Sequence, residues 1–223
     1  MAQQIAEPFF IMTITIFGAN SLVGKDLIKL ALARDYTVKA FDRDVEDMID
    51  ADLRNNKFEA IKGYIFDKDE IYNSLKNSDC VVSCIGGTYN STDRSRSLGM
   101  KNIISQMQKL EIKRIVALSG IGILNYSDDK LAMDFEEFPE EEKEVSFEHL
   151  AAYQHLKTSD LDWTLVCPSA IINNECSGKI SIKENYLPTQ NMSIACSSDV
   201  ASFILSALEK NEYINAKVSI ASE

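Results

Sequence analysis

Short apolar, β-branched runs alternate with longer segments of helical period along most of this chain. The runs have the composition of buried strands, and the segments between them repeat their apolar residues every three or four positions, as amphipathic helices do. Such alternation builds a parallel sheet covered by helices, because each helix carries the chain back to the edge from which the next strand starts. The predicted fold class is therefore α/β, with a doubly wound parallel sheet in a single domain.

The same periodicity places the individual elements. Strands are expected at Met12–Phe17, Thr37–Phe41, Phe58–Lys62, Cys80–Ile85, Arg114–Leu118, Trp163–Cys167 and Lys217–Ile220. Helices are expected at Leu22–Arg34, Val45–Asn55, Glu70–Lys76, Arg94–Leu110, Ser146–Thr158 and Asp199–Glu209, the last of them starting after the N-cap candidates Ser197 and Ser198. Residues 1–10 are expected to form an N-terminal extension to a domain that covers residues 11–223. Within that domain we expect an acidic loop at 128–144 and a small substrate-side region at 168–197.

The net charge of the chain is −11, from 34 acidic and 23 basic residues. Such a surface repels phosphate backbones and anionic lipids, since non-specific affinity for them comes from clustered Lys and Arg. No apolar run approaches the ~20 residues that a membrane-spanning helix needs. The first basic residue is Lys25, so the N-terminus lacks the charged start of a secretory signal. These features predict a cytoplasmic protein whose partner is a small molecule rather than nucleic acid or a membrane.

The cysteines and histidines give little sign of redox or metal chemistry. The chain has an odd number of cysteines, several of them in strand-like runs, which is typical of buried thiols in a reducing compartment rather than of a disulfide framework. These are Cys80, Cys84, Cys167, Cys176 and Cys196. Neither His149 nor His155 has zinc-ligand spacing from a cysteine pair, so no metal site is predicted.

The turn after the first predicted strand has the spacing of a nucleotide-binding loop. Gly18 suits a tight turn, and Gly24 lets the next helix approach the strand. The unpaired N–H groups at the start of that helix would face an anionic diphosphate. Ser21 takes the middle place of the motif, where its side chain crowds the approach of phosphate but its hydroxyl can donate to it. The predicted phosphate-binding residues are Gly18, Asn20, Ser21, Leu22, Val23 and Gly24.

Further candidates for a cofactor site follow the later strands. Asp42 favours NAD because a carboxylate accepts hydrogen bonds from both ribose hydroxyls, whereas Arg43 favours NADP because its guanidinium attracts the 2′-phosphate. Phe66 and Asp67 follow the third strand and are expected at the adenine edge, and the alternative for Asp67 is an ordinary loop carboxylate. Gly86 and Gly87 follow the fourth strand, where they either give the backbone room beside a cofactor or form a plain turn.

The order of these motifs resembles that of the atypical short-chain dehydrogenases/reductases, and most closely the NAD(P)H-binding, NmrA-like group that includes biliverdin and flavin reductases. The resemblance covers nearly the whole chain. It is carried by Gly18…Gly24, Arg43, Asp67, Gly86-Gly87, Ser119-Gly120, the segment from His149 to Pro168, and Asp199-Val200-Ala201. It implies a Rossmann fold with NAD(P) across the strand ends, and NADP is favoured over NAD.

Standard members of that superfamily pass a proton from the tyrosine of a Tyr-x-x-x-Lys motif, whose lysine lowers the tyrosine pKa. Tyr153 and Lys157 match the motif literally, but they lie too close to the following strand. In the register of many atypical members, His149 takes the place of the lysine, and Val145 lies four residues before it. The match of Tyr153 and Lys157 to the motif therefore does not by itself indicate a catalytic pair.

The candidate catalytic residues are Ser119, His149 and Tyr153. Ser119 ends the fifth strand, where it lies beside the expected nicotinamide or caps its own backbone. His149 either donates a proton, orients the nicotinamide ribose or is a satisfied surface residue, and the ordinary pKa of a histidine, about 6.5, suits the first role at neutral pH. Pro168 is expected to fix the turn that lines the nicotinamide end. An apolar face for a planar substrate is expected from Tyr89, Ile121, Ile123, Leu124 and Ile171.

Two functions fit these residues. The first is an NAD(P)H-dependent oxidoreductase that transfers hydride from nicotinamide to a small conjugated or carbonyl acceptor such as a flavin. The second is a non-catalytic, NmrA-like NAD(P)-binding redox sensor that acts through a protein partner. The compact size favours the first function, and the missing catalytic register favours the second.

Overall fold

The computed structural model describes residues 11–45, 56–87, 92–168, 170–173, 178–188 and 194–222. The expected N-terminal extension and, apart from Val45, the helix predicted over Val45–Asn55 lie outside these ranges. The strands are β1 Thr13–Phe17, β2 Thr37–Asp42, β3 Phe58–Lys62, β4 Cys80–Ser83, β5 Arg114–Leu118, β6 Asn125–Ser127, β7 Lys130–Leu131, β8 Asp162–Pro168, β9 Ala170–Ile172, β10 Ile180–Glu184, β11 Ile194–Cys196 and β12 Ala216–Ser222. The helices are α1 Leu22–Ala33, α2 Lys68–Leu75, α3 Ser95–Lys109, α4 Glu140–Lys157 and α5 Ser197–Glu209.

The central sheet has the strand order β10-β12-β8-β5-β4-β1-β2-β3. All neighbouring pairs from β12 to β3 are parallel, and β10 adds an antiparallel edge beside β12. From β1 the chain proceeds outward to β2 and β3, and from β4 it proceeds in the opposite direction to β5. A reversal of this kind leaves a crevice at the carboxyl ends of β1 and β4. The predicted doubly wound, single-domain α/β fold is confirmed.

Helices cover both faces of the sheet, because its strands are buried on both sides. On one face α1 packs against α5, with Leu27 and Ile204 fully buried between helices and sheet. On the other face α3 packs against α2 and α4, with Ile103 and Leu156 fully buried. Successive residues of β5 alternate between the two cores. The near-continuous apolar composition of the predicted strands follows from this double burial.

Three helices begin earlier than the sequence predicts, and α2 does so by two residues, at Lys68 rather than Glu70. Helix α4 begins at Glu140 rather than Ser146, and three glutamates lie in its first turn, where the helix dipole favours negative charge. The last five residues of the predicted acidic loop at 128–144 are therefore helical, and β6 and β7 form a short hairpin at its start. Helix α5 begins at Ser197, and the Ser197 hydroxyl lies 2.6 Å from the Asp26 carboxylate of α1 instead of capping α5.

The predicted substrate-side region at 168–197 contains strands that the periodicity did not predict. β9 pairs in parallel with β11, and β10 extends the central sheet. β9 and β11 have three residues each. Runs of that length carry too few positions for period-two alternation to be distinguished from a loop.

The described cysteines follow the prediction with one exception. Cys80, Cys84 and Cys167 are free and buried, and burial raises the pKa of each thiol to about 12. Cys196 is disulfide-bonded, so the prediction of a buried thiol is wrong at that position.

Within the described ranges, no three His, Cys, Asp or Glu side chains cluster in a way that would hold a metal ion. Among the helices described, none is long and apolar enough to cross a membrane.

Candidate functional site

A groove runs along the carboxyl ends of the strands and crosses the switch point between β1 and β4. It consists of two cavities of about 500 and 610 Å³ that share Ser21, Cys84, Ile85 and Gly86. We call the first the β2 half, because residues that follow β1, β2 and β3 line it. We call the second the β5 half, because residues that follow β5 and β8, together with α4, line it. An elongated ligand can therefore cross the sheet edge without a break.

The glycine turn after β1 depends on two residues without side chains. Gly18 has a φ of +72°, and a β-carbon there would lie 2.5 Å from the carbonyl oxygen of Cys84. A β-carbon on Gly24 would lie 2.7 Å from the carbonyl oxygens of Gly18 and Ala19. Both distances are shorter than any van der Waals contact. The tight turn predicted for Gly18 and the close helix approach predicted for Gly24 are confirmed.

Ser21 is the N-cap of α1, and its Oγ accepts a hydrogen bond of 3.1 Å from the N–H of Gly24. Because the oxygen acts as the acceptor, the hydroxyl proton remains available for a ligand. Leu22 and Val23 follow as the first two helical residues and line the groove. N–H groups of a first helical turn have no intrahelical partner. A serine in the middle of the motif thus keeps this end of α1 suitable for an anion.

The Asp42 carboxylate is bound to the protein backbone. Its Oδ2 accepts from the N–H of Asn20 at 3.1 Å and its Oδ1 accepts from the N–H of Asp44 at 3.2 Å. Asp42 therefore ties the glycine turn to the end of β2, which is a structural role that the sequence did not reveal. Asn20 also lines the β2 half, and its buried Oδ1 has no hydrogen-bond partner among the described residues. A buried polar atom without a partner at a groove wall is a sign of a missing ligand.

Asp67 does not line the groove. Its Oδ1 accepts hydrogen bonds from the N–H groups of Asp69 and Glu70 at 2.9 and 3.1 Å, which caps the start of α2. This capping role is that of an ordinary loop carboxylate, and it does not favour the predicted contact of Asp67 with the adenine edge. Two aromatic residues line the β2 half: Phe66, which the sequence predicts at the adenine edge, and Tyr64, which it does not. Tyr64 and Phe66 are 60% and 53% exposed, and exposed aromatic rings beside a groove suit stacking on a planar base.

Gly86 and Gly87 make room for different groups. Gly86 lines both halves of the groove, and a β-carbon added to it would meet no atom within 4 Å in the part of the chain that the structure describes, its two chain neighbours aside. A β-carbon added to Gly87 would lie 2.6 Å from Nη1 of Arg96. The backbone room that the sequence predicts beside a cofactor is therefore at Gly86, whereas Gly87 accommodates a side chain of α3.

The β5 half brings together three of the predicted residues. Ser119 lies buried after β5, Pro168 ends β8, and His149 projects from α4 beside Val145. Ile121 and Ile171 also line this cavity, as the expected apolar face requires. The other predicted members of that face do not line it in the described structure: Ile123 and Leu124 are fully buried, and Tyr89 lies outside the described residues.

His149 is not the proton donor that its ordinary pKa suggests. Burial, with a smaller contribution from the positive charge of Arg96, lowers its pKa to about 3. Its ring packs against Gly120, where an added β-carbon would lie 2.9 Å from Cδ2. The imidazole is therefore neutral at pH 7, which does not favour the predicted role of proton donor.

Neutral His149 gives a testable pH dependence. Since the folded-state pKa is depressed, the neutral side chain contributes stability above the unfolded value of about 6.5, and this contribution is lost as the pH falls from there toward 3. The chain has two histidines, so His155→Gln leaves His149 as the sole imidazole signal. Nitrogen NMR of that variant should show a neutral ring from pH 8 down to about 5. A midpoint near 6.5 would contradict the burial argument.

Tyr153 lies away from the groove. Its ring stands edge-on to Trp163 at 5.6 Å, and the Nζ atoms of Lys157 and Lys217 lie 5.8 and 5.2 Å from its centre. It lines a separate depression near the amino ends of β8 and β12. The Tyr-x-x-x-Lys match thus brings tyrosine and lysine together at the wrong end of the sheet, and we do not retain Tyr153 as a catalytic candidate.

Comparison with known proteins agrees with this geometry. A family model described as NAD(P)H-binding matches residues 18–211. The chain belongs to that NAD(P)H-binding family. The resemblance drawn from the sequence motifs is thereby confirmed.

Similar proteins span the whole length of this NAD(P)H-binding chain. The uncharacterized protein YwnB of Bacillus subtilis is 24% identical over 225 residues, which covers 95% of this chain and 99% of YwnB. A candidate NADH-flavin reductase from Streptococcus pneumoniae is 22% identical, with a TM-score of 0.79 over 95% of this chain and 100% of that chain. A short-chain dehydrogenase/reductase from Veillonella parvula in complex with NADP is 16% identical, with a TM-score of 0.77 over 95% of each chain. At these identities the two structures show a shared fold.

The groove fits the cofactor of the family. The turn from Gly18 to Gly24 offers backbone N–H groups and the Ser21 hydroxyl to a diphosphate. Asn20 supplies a buried polar atom in need of a partner, and Tyr64 and Phe66 supply rings at the adenosine end. A nicotinamide would then lie in the β5 half beside Ser119.

Arg43 should decide between the two nicotinamide cofactors. It lines the β2 half with a side chain that is 74% exposed, and its Nε lies 3.4 Å from the Asp44 carboxylate. A carboxylate such as Asp42 repels a 2′-phosphate, whereas the exposed guanidinium of Arg43 can pair with it. Arg43→Ala should weaken NADPH binding about tenfold or more and change NADH binding by less than about threefold. Equal losses in fluorescence titrations of the two cofactors would remove this role.

Proposed function

We propose that this protein is an NAD(P)H-dependent oxidoreductase that prefers NADPH and reduces a small conjugated acceptor, with flavins as the leading class. The observation that carries the proposal is the continuity of the groove, since the β5 half opens directly from the half that fits the adenosine and diphosphate. The cofactor, when bound, supplies hydride at its nicotinamide. The chain's own task is to hold the acceptor in the β5 half.

The side chains of the β5 half favour acceptors that need no strong acid from the protein. Val145 lies where the superfamily register asks for a tyrosine, and it cannot donate a proton. His149 takes the place of the lysine and is neutral at pH 7, because burial lowers its pKa to about 3. Simple ketones need a proton on oxygen as hydride arrives. Flavins and quinones can take their proton from solvent, so this site suits them better.

The remaining polar groups orient the acceptor. The Ser119 hydroxyl and the neutral imidazole of His149 are hydrogen-bonding groups on one side of the cavity. Leu118, Ile121 and Ile171 form apolar walls that exclude water from a planar ring. Such walls hold a ring flat against its reaction partner, which lowers the barrier by positioning rather than by acid catalysis.

A kinetic panel tests the proposal. Purified protein is mixed with NADPH and, in separate reactions, a flavin, a quinone, an aldehyde and a ketone, while the nicotinamide absorbance is followed. We expect turnover with the flavin or quinone, and rates with the aldehyde and ketone at least about 100-fold lower, which corresponds to a difference of about 2.7 kcal/mol in the barrier. Turnover of the ketone alone, with a break in the pH profile near the pKa of an enzyme acid, would contradict the assignment.

The absence of a tyrosine at Val145 also favours a second candidate function, a cofactor-binding redox sensor that acts through a protein partner. Tight binding of NADPH with no turnover of any acceptor in the panel is the result that this function predicts. For the enzyme, we propose a small-molecule partner, no nucleic acid or membrane partner, and work in the cytoplasm.

A further inference from the structure

A buried lysine of the central sheet lies outside the groove and has no part in the cofactor site. Lys217 is the second residue of β12, and it is only 4% exposed. Lysine is rarely buried to this degree without partners. Its Nζ donates to the carbonyl oxygen of Ile123 at 2.6 Å and to Oδ1 of Asn125 at 2.8 Å, and it lies 5.2 Å from the centre of the Tyr153 ring. Two acceptors and a ring face suit an ammonium group, which has three donors and no acceptor.

The two acceptors of Lys217 belong to a segment that forms one wall of the β5 half. We call residues 119–125 the wall segment. Residues 119–122 line the cavity, and the two acceptors lie at the far end of the segment. At the near end, the N–H of Ser119 donates to the carbonyl oxygen of Val166 at 2.8 Å. The wall segment is therefore hydrogen-bonded to β8 at its start and to β12, through Lys217, at its end.

Between these two attachments the wall segment contains two glycines. A β-carbon on Gly120 would lie 2.9 Å from Cδ2 of His149, and one on Gly122 would lie 2.2 Å from Oγ of Ser146. Helix α4 therefore packs directly against the backbone of the segment. Because a glycine backbone has more conformational freedom than any other, the position of this wall depends on the hydrogen bonds at its two ends.

Lys217 and Ser119 also approach the same buried thiol. Cys167 is a fully buried residue of β8. Burial raises the pKa of its thiol, while the charge of Lys217 and a side-chain hydrogen bond with Ser119 act to lower it. The ammonium group therefore lies near Ser119 on the side of the core, whereas the cavity lies on the other side of Ser119.

We propose that Lys217 is a positioning residue for hydride transfer, because it holds the wall segment where Ser119 and Ile121 keep the acceptor ring against the nicotinamide. This inference rests on the proposed oxidoreductase function. The chemistry is the same: hydride passes from the nicotinamide to the acceptor, the cofactor leaves oxidised, and the acceptor takes its proton from solvent. Lys217 touches neither reactant. A displacement of the wall by about 1 Å can lower the rate about 100-fold without removing any group that binds the acceptor.

Kinetics of Lys217→Met with riboflavin as the acceptor test this role, since methionine keeps most of the side-chain length and removes both hydrogen bonds. At saturating NADPH we expect kcat to fall at least about tenfold. The Kd for NADPH should change less than about threefold, with one site per chain, because the wall segment is not among the described residues that line the β2 half. Lys157→Met is the matched control, since it removes an exposed lysine beside the same Tyr153 ring, and kcat should be unchanged.

A second variant approaches the same contact from the wall segment. Asn125→Ala removes one acceptor of Lys217 and should lower kcat by a smaller factor than Lys217→Met. If both variants act through this contact, the double variant should lose less than the product of the two single effects. A loss equal to the full product would mean that the two residues act independently, and it would overturn the proposal.

Hydrogen exchange separates this inference from the proposed enzyme function, because it needs neither cofactor nor acceptor. In the unliganded protein, Lys217→Met should speed amide exchange in the wall segment at least about tenfold and leave the turn from Gly18 to Gly24 unchanged. Faster exchange in a protein that turns over no acceptor would contradict the enzyme function and still support the holding role of Lys217. Unchanged exchange in the wall segment, an equal increase in the glycine turn, or a kcat for riboflavin within threefold of the unmodified protein would overturn the proposal.

Discussion

Gly86→Leu is expected to abolish cofactor binding without harming the fold. Gly86 lines both halves of the groove, and apart from its chain neighbours no atom of the described residues lies within 4 Å of its β-carbon position. A leucine side chain there would start in the groove and would occupy the space through which an extended dinucleotide must pass. We expect the Kd for NADPH to rise at least about 100-fold, equivalent to about 2.7 kcal/mol, with the melting temperature of the unliganded protein changed by less than about 2 °C.

Two further variants control this experiment. Gly86→Ala adds a single carbon and should weaken NADPH binding by a smaller factor than the leucine. Ser202→Leu adds the same apolar side chain on the exposed side of α5 and should leave the affinity unchanged. Fluorescence titration gives the affinities, and thermal melting gives the stabilities. Unchanged affinity in Gly86→Leu would mean that the cofactor does not cross this part of the sheet edge.

Arg114→Met is expected to be the most destabilising single substitution outside the groove. Arg114 is buried, and its Nη1 donates to Asp162 O at 3.0 Å and to Thr164 Oγ1 at 2.9 Å. Its Nη2 donates to Ala207 O at 3.1 Å and to Glu212 O at 3.0 Å, which ties β5 and β8 to the end of α5. Burial lowers its pKa to about 10, so it remains charged at pH 7. Methionine would remove all four of these hydrogen bonds from a charged donor, at a cost of about 3–5 kcal/mol.

For a domain of this size, that loss lowers the melting temperature by roughly 6–20 °C. Arg34→Met is the matched control, because Arg34 also pairs with α5, through a contact of 2.7 Å from Nη1 to Glu209 Oε2 that is partly exposed to solvent. A salt bridge that is partly exposed to solvent contributes about 0–1 kcal/mol to the free energy of unfolding. Chemical denaturation should therefore separate the two variants by at least about 2 kcal/mol. A similar loss of unfolding free energy in both variants would show that Arg114 contributes no more to stability than the partly exposed Arg34.

The fold and the backbone part of the site could be predicted because both depend on local rules. Buried parallel strands must be apolar on both faces, so their positions are visible in the sequence. Gly18 and Gly24 are required by contacts of 2.5 and 2.7 Å with nearby backbone, and a glycine pair between a strand and a helix signals that requirement. The carboxyl ends of the strands then bring Gly86, Ser119 and Pro168 to the same groove.

The side chains of the site could not be assigned in the same way. Asp42 and Asp67 can bind either a ligand or a backbone N–H, and only the folded distances show that both are occupied by the backbone. Tyr153 matches a catalytic motif, but the length of α4 places it near the far end of the sheet. The pKa of His149 depends on its burial and on Arg96, a residue from another helix. These hydrogen-bond partners, positions and pKa values depend on contacts between residues far apart in the sequence, so the sequence alone does not show them.

The central claim is that the start of α1 and the groove beside it bind a nicotinamide dinucleotide, and calorimetric titration of the protein with NADPH tests it most directly. The account predicts saturable binding with one site per chain, at a Kd well below about 100 μM, with weaker binding of NADH. No heat of binding for either cofactor up to millimolar concentration would contradict the claim.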